Sequence, residues 1–284
     1  MAELMKSKPH LKNIVVAVKQ VPDTTQVKID PQTGTLIREG VPFIVNPFDT
    51  HAVECALQLK DRYGCRVIAI SMGPPNAEIT LRKCLALGVD DAVLISDRAF
   101  GGADTLATSF VLAEAVKRIQ AENGRVDLLI CGKQTIDGDT AQVGPGLATR
   151  LGFSQLTMID QVVEIQPDER TIIVRRKFDH RREILKARLP ALITVVREMN
   201  HPRYPTVPSR LAAEATRIPI WNNEVLKLPP DRIGLRGSPT NVKKIFAPER
   251  KKGEILGDGE RDPQGAVELL IRKMIEKDLL TFRS

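Results

Sequence analysis

Four short aliphatic runs, at residues 14–18, 66–71, 92–96 and 127–131, divide the first half of the chain, and helical spacing fills the gaps between them. Each run is apolar throughout rather than at alternate positions, which suits a strand buried on both faces. Helix ends are marked between them. Asn46 can cap a helix whose first residue is Pro47, with Ala52, Val53, Ala56, Leu57 and Leu59 at helical spacing. Residues 78–87 read as a helix stopped by Gly88, and Asp104 can cap a helix over 105–119. A polar segment over 23–40 carries turn signals at Asp30-Pro31 and Thr33-Gly34. Strands alternating with helices over short connections predict an α/β fold, a parallel sheet with right-handed crossovers. Beyond Gly152 the texture changes. Residues 162–165, 171–176, 183–187 and 192–196 read as strands without intervening helices, which predicts antiparallel additions to the sheet. From about Pro229 the chain gains proline, glycine and charge, including Arg250-Lys251-Lys252, and ends in an amphipathic helix over 266–279. The expected organisation is an α/β domain over 1–228 and a C-terminal arm over 229–284 that reaches onto another subunit.

In a parallel sheet, ligands sit outside the carboxyl ends of the strands. Lys19, Met72-Gly73, residues 100–105 and residues 133–144 all fall at that edge, and Asn46, Pro47, Phe48 and Asp49 open a helix there. The richest stretch is 130–152, ICGKQTIDGDTAQVGPGLATRLG. It leaves a strand, passes through glycine, acid and hydroxyl residues, and enters a small-residue helix, with Gly144 suited to the N-cap and Pro145 to the first helical position. Free N–H groups and the dipole at such a helix start suit a phosphate. The loop is neither a Walker loop nor G-x-G-x-x-G, so spacing alone stops at an anion site. Asp137 and Asp139 repel phosphate. They are expected to cap the loop's own N–H groups while Thr140 and Gln142 face the anion. Ala17 is read either as a small residue that lets an adenine edge approach or as strand packing, Asn46 and Asp49 also as helix caps, and Met72 also as core.

The net charge of +7 does not point to nucleic acid, because aromatics are only 4% and do not interleave with the basic residues. The basic run Arg175-Arg176-Lys177, His180-Arg181-Arg182 and Lys186-Ala187-Arg188 reads as a solvated hairpin face, or as a contact for an acidic partner or flavin anion. Four scattered cysteines, Cys55, Cys65, Cys84 and Cys131, give neither metal spacing nor a disulfide framework and read as small buried hydrophobes. The four histidines show no ligand spacing, and no Ser-His-Asp or Cys-His set appears. The N-terminus lacks an apolar leader core and no run reaches spanning length, so a cytoplasmic protein without membrane insertion is expected. Chemistry is therefore expected from a bound cofactor rather than a catalytic side chain or metal.

The 132–139 segment, GKQTIDGD, resembles the adenine-nucleotide loop of electron transfer flavoprotein (ETF) beta subunits, whose pattern is GKQ-[small]-ID-x-D. Val16-Ala17-Val18-Lys19, Asn46-Pro47-Phe48-Asp49 with Ala52-Val53-Glu54, Met72-Gly73-Pro74 and Pro202-Arg203-Tyr204 agree in the same order. The resemblance covers about residues 12–215 well and the tail loosely. It implies a Rossmann-like, adenine nucleotide hydrolase-like fold. It also implies a cofactor site made of Ala17, the Asn46, Pro47, Phe48, Asp49 segment, Met72, Asp104, Thr105, and the loop Gly132, Lys133, Gln134, Thr135, Ile136, Asp137, Gly138, Asp139, Thr140, Ala141, Gln142, Val143 and Gly144.

Conventional beta subunits hold AMP, whereas electron-bifurcating members hold a second FAD in its place. This chain resembles the second group in Gly138 with Thr140-Ala141-Gln142-Val143-Gly144-Pro145, in residues 97–105 and in residues 234–240. The glycines at 101 and 102 would then let a flavin ring lie against backbone, with Asp104 and Thr105 at its polar edge. The resemblance implies a heterodimer with an ETF alpha subunit that carries another FAD. NADH would be the donor, ferredoxin or flavodoxin the low-potential acceptor, and a dehydrogenase or quinone-linked subunits further redox partners. The family grips acyl-CoA dehydrogenases with the segment matching 202–211. Two alternatives remain open: a conventional subunit with AMP, and a nucleotide-hydrolysing or adenylating enzyme on the same fold. Such enzymes commonly carry a Ser-Gly-Gly loop after the first strand, which residues 18–23 lack. A non-catalytic nucleotide-sensing module is a third reading.

Overall fold

The computed structural model describes residues 11–23, 28–29, 36–37, 42–241 and 253–280. The turn signals at 30–34, the basic triplet at 250–252 and the start of the chain lie outside them. The chain divides into two compact units, Met1–Lys244 and Ile245–Ser284.

In the first unit the strands are β1 (Asn13–Ala17), β2 (Gln20–Pro22), β3 (Lys28–Ile29), β4 (Leu36–Ile37), β5 (Phe43–Val45), β6 (Arg66–Met72), β7 (Asp91–Ile95), β8 (Val126–Gly132), β9 (Ser154–Gln166), β10 (Thr171–Lys177), β11 (Arg182–Arg188), β12 (Ala191–Val195) and β13 (Ile220–Trp221). The helices are α1 (Pro47–Tyr63), α2 (Glu78–Leu87), α3 (Thr105–Asn123), α4 (Val143–Leu151), α5 (Val207–Ala215) and α6 (Asn223–Leu226). A 9-stranded sheet runs β11-β10-β9-β12-β8-β1-β6-β7-β13. The section from β9 through β12, β8, β1, β6 and β7 to β13 is parallel, and β10 and β11 extend it antiparallel.

The aliphatic runs are these central strands. All five residues of β1 are buried, with Ile14 and Val16 in the core under α1 and α2, and Val15 and Ala17 in the core under α3 and α4. Burial on both faces explains why β1 and β8 lack an alternating pattern. The run at 192–196 differs from expectation. As β12 it lies parallel to β8 and β9, so the antiparallel part is confined to β10 and β11. β9 is 13 residues long, far beyond the 162–165 run; its buried residues Leu156, Ile159, Asp160 and Ile165 follow no regular alternation, so most of it carries no period-2 signal. The basic hairpin is internally paired: Arg175 and Arg182 hold the buried Asp160 at 2.8 and 3.0 Å, and Lys186 reaches Glu169 at 2.9 Å. Burial pushes the Asp160 carboxyl up, and those two guanidinium groups outweigh it and keep it below the usual range. All four cysteines are buried and unbridged, and burial raises the thiols of Cys55 to about 12 and Cys65 to about 11.

Residues 229–241 pack on the first unit, with Ile233 buried in the α3 and α4 core. The second unit contains α7 (Pro263–Glu276), which begins earlier than the 266–279 expectation because Asp262 caps it, accepting from the Gly265 N–H at 2.9 Å. None of its residues is buried; Val267, Leu270, Ile271 and Ile275 remain exposed. No helix among the described residues is long and apolar enough to cross a membrane.

Candidate functional site

The carboxyl edge of β1, β6, β7 and β8 opens into a cavity of about 890 Å³. One wall is the loop from Gly132 to Gly144. The opposite wall is the 96–105 segment with Thr108 and Leu112 of α3, and Met72 to Pro75 form the side. Thr105, Thr108 and Leu112 are three and four residues apart, so one helix face lines the cavity.

The loop wall has backbone features that suit an anion. Asp139 and Ala141 have φ of 54° and 55°, a left-handed conformation that L side chains rarely adopt. Gln142 returns to the right-handed region. Alternating hands turn successive N–H groups toward one concavity, the nest that binds phosphates. α4 follows directly, and the first N–H groups of a helix have no partner within it. Here the helix starts at Val143 with Gln142 at the N-cap, not at Pro145 with Gly144, and Gln142 makes no side-chain cap. Its Oε1 instead accepts from the Thr105 hydroxyl at 3.0 Å, tying the two walls together. Gly144 is glycine for packing: a Cβ there would lie 2.6 Å from Thr194 Cγ2.

Asp49 is the pivot of the rim. It is 4% exposed. One oxygen accepts from the Lys19 N–H at 2.8 Å and the other from the Gly132 N–H at 3.1 Å, joining the ends of β1 and β8 to α1. Burial pushes its carboxyl up to about 7, against the downward pull of the Lys19, Asn46 and Gly132 hydrogen bonds. A Cβ at Gly132 would overlap Asp49 Oδ1 and lie 2.6 Å from Phe48 Cβ, so only glycine admits the start of α1 here.

Of the expected site residues, Ala17, Asp49, Met72, Asp104, Thr105, Gly132, Lys133, Gln134, Thr135, Gly138, Thr140, Ala141, Gln142, Val143 and Gly144 line the cavity. Asn46, Pro47, Phe48, Ile136, Asp137 and Asp139 do not. Asn46 holds the N-cap position of α1 without a side-chain cap; its Nδ2 donates to the Gln134 carbonyl at 2.9 Å and its Oδ1 accepts from Ile136 at 3.3 Å. It is a clasp for the loop. Pro47 is in the first turn of α1. Phe48 and Ile136 border a separate cavity of about 510 Å³, where the Lys133 ammonium and Arg197 guanidinium lie 5.5 and 4.8 Å from the Phe48 ring centre.

The two loop carboxylates are held mainly by side chains, with a backbone N–H contributing at Asp137. Lys19 Nζ holds both Asp137 oxygens at 2.9 and 2.8 Å, and Gln134 holds Asp139 at 2.7 Å. Burial raises the Asp137 carboxyl, but the Lys19 and Thr135 hydrogen bonds win and keep it below the usual range. Asp104 lines the cavity and is also bound within the chain. Oδ1 caps α3 through Leu106 and Ala107, at 2.9 and 3.0 Å, and Oδ2 accepts from the Thr240 N–H and hydroxyl at 3.1 and 2.9 Å. Both oxygens are committed within the chain. Sequence reasoning left Thr108 and Leu112 out of the site, although both were readable as the α3 face that continues from Thr105.

The geometry fits a phosphorylated ligand with an apolar end. N–H groups and Lys133 line one wall, while Phe100, Gly101, Gly102 and Leu112 line the other. Among the described residues no group of side chains could hold a metal ion. Residues 33–226 match the electron transfer flavoprotein domain family. The chain is 46% identical to the caffeyl-CoA reductase-Etf complex subunit CarD of Acetobacterium woodii over 270 residues, 94% of this chain and 99% of the relative. It is 43% identical to protein FixA of Azotobacter vinelandii over 263 residues, 92% and 93% of the two chains. It is 47% identical to the electron transfer flavoprotein subunit beta of Clostridium acetobutylicum over 245 residues, 86% and 92%.

Proposed function

The chain belongs to the electron transfer flavoprotein family as a beta subunit, and from that premise we propose that its cavity holds an FAD which joins this subunit to a bifurcating electron-transfer chain. The observation that carries the reading is the two-walled cavity of about 890 Å³, with the 132–144 loop on one wall and, on the other, Phe100, Gly101, Gly102, Ala103 and Leu112 interspersed with Asp104, Thr105 and Thr108. AMP would engage the first wall and leave the second without a ligand. The pyrophosphate belongs at the nest of Ala141 and Gln142 and at the first N–H groups of α4. Gly138 keeps that approach free of side chain and charge. Ala17, small and at the end of β1, leaves room beside the strand. When bound, FAD would supply hydride acceptance from NADH and one-electron delivery to the alpha-subunit flavin and to a ferredoxin or flavodoxin.

The chain's own groups supply position and electrostatics. Lys19 neutralises Asp137, so the loop presents N–H dipoles rather than a bare carboxylate. Asn46 and Asp49 fix the loop to α1 and β8. The partner is an ETF alpha subunit, and the likeness to CarD, a subunit of a caffeyl-CoA reductase–Etf complex, supports a dehydrogenase or reductase as a further partner. The C-terminal segment is proposed as the arm that holds the alpha subunit. The test is the cofactor content of the purified alpha–beta complex. Two FAD per complex is the expected result; one FAD and one AMP would establish the conventional form and overturn this reading.

A further inference from the structure

We propose that residues 233–240 form a strap that sets the position of the flavin-side wall, with Ser238 and Thr240 as positioning residues acting through Asp104. This rests on the reading of the cavity as an FAD site. None of these strap residues lines the cavity. They bind the outer side of the segment that does. The Asp104 N–H donates to Ser238 Oγ at 2.8 Å, and Ser238 Oγ donates to the Gly234 carbonyl at 2.7 Å. Thr240 places its N–H and hydroxyl on Asp104 Oδ2. The Asp104 side chain is thus shared: one oxygen caps α3, the other is held by the strap.

The strap lies hard against the wall. Gly234 has φ of 53°, and a Cβ there would collide with the Ala99 carbonyl oxygen. Leu235 sits over Gly102, 3.4 Å from where a Cβ would stand. At the other end, Asp97 accepts from Ala99 and from the Asn223 N–H at 2.9 and 2.8 Å. The 97–105 segment is pinned at both ends by the Asp97 and Asp104 carboxylates, and Gly101 and Gly102 between them line the cavity. The strap's bonds to the Asp104 carboxylate are charge-assisted and so stronger than neutral hydrogen bonds. Removing the strap's hydroxyls while leaving the α3 cap intact loosens the wall without unmaking the helix.

The strap addresses the flavin wall and not the phosphate loop, so its loss discriminates between ligands. In the alpha–beta complex, S238A/T240V is expected to weaken binding of the second equivalent of FAD about tenfold while AMP affinity stays within about twofold. T240S, which keeps the hydroxyl, is expected to match the parent protein. G234A, which forces the strap outward, is expected to reproduce the FAD-selective loss. Equal losses of FAD and AMP would reduce the strap to general stability and overturn the inference, as would unchanged FAD affinity in a complex that binds two FAD. A parent complex that takes no second FAD overturns the FAD site itself, and the inference with it.

Discussion

Gly138 and Asp49 carry opposite lessons about what a single residue does at this rim. A Cβ at Gly138 would meet only the Thr135 hydroxyl, at 3.4 Å, so there is room for a side chain. Glycine there is explained by charge and approach, not by crowding. Gly138→Asp is therefore expected to fold normally and to lower FAD affinity about tenfold or more, because a carboxylate faces the phosphates at a partly desolvated loop. Equilibrium dialysis of the complex checks this; full retention of both flavins would refute the pyrophosphate assignment. Asp49 faces a conflict. Two N–H donors favour its ionised form, while burial lifts the carboxyl to about 7. The unfolded chain ionises it near 4. Below that pH its contribution to stability is complete, and it is lost as pH rises through 7, by up to about 4 kcal/mol. The pH dependence of urea unfolding between pH 5 and 8 is expected to flatten in Asp49→Asn; an unchanged slope would locate the titration elsewhere.

At the scale of elements, the central strands and α1, α2 and α3 were legible because each has an unambiguous period and a marked end. Residues 78–87 and Gly88 show this most plainly: the helix stops where the chain takes a φ of 115°. What sequence could not give is where long polar side chains go. Asn46 has the composition of a cap, yet its side chain spans to the Gln134 carbonyl, 88 residues away. Lys19 and Asp137 are separated by 118 residues and meet only because β1 and β8 are neighbours. The strap escaped for the same reason, since Thr240 finds Asp104 across the fold. The segment expected as a docking loop is irregular chain tied down by Arg203 and followed by α5. Arg203 anchors it to Glu54 at 2.9 Å and to Asp61 at 2.8 Å, and Thr206 caps the helix. Tyr204, Val207 and Leu211 are left exposed at 94, 71 and 67%. Val207→Asp is expected to leave stability within about 0.5 kcal/mol and cofactor content unchanged. It is expected to slow electron transfer to a partner dehydrogenase severalfold; unaltered partner kinetics would make this face ordinary surface.

At the scale of the molecule, the division at Lys244 sharpens one experiment. Cutting after Leu228 would remove Ile233 and the strap, so the informative truncation ends at Lys244. That variant is expected to keep the FAD site but to lose stable association with the alpha subunit, because α7 exposes an apolar stripe that nothing among the described residues of its own unit covers. Size-exclusion chromatography of the co-expressed pair reads the result; an intact heterodimer would assign the interface to the sheet unit. The position of β1 sets a different constraint, on the order of events during synthesis. Among the described residues β1 is the first strand of the long sheet along the chain, and it is flanked by β6 and β8. A nascent chain therefore carries a strand whose residues 14–17 are all apolar, with an open edge, until residue 132 has left the ribosome, and β8 in turn waits for β12. Such a topology defers closure of the sheet to long-range pairing, which is slow and exposes hydrophobic edges. Ribosome-bound chains arrested before β8 should remain open to protease within β1 and engage holding chaperones, and protection should appear together with the cofactor rim, since the same strand ends build both.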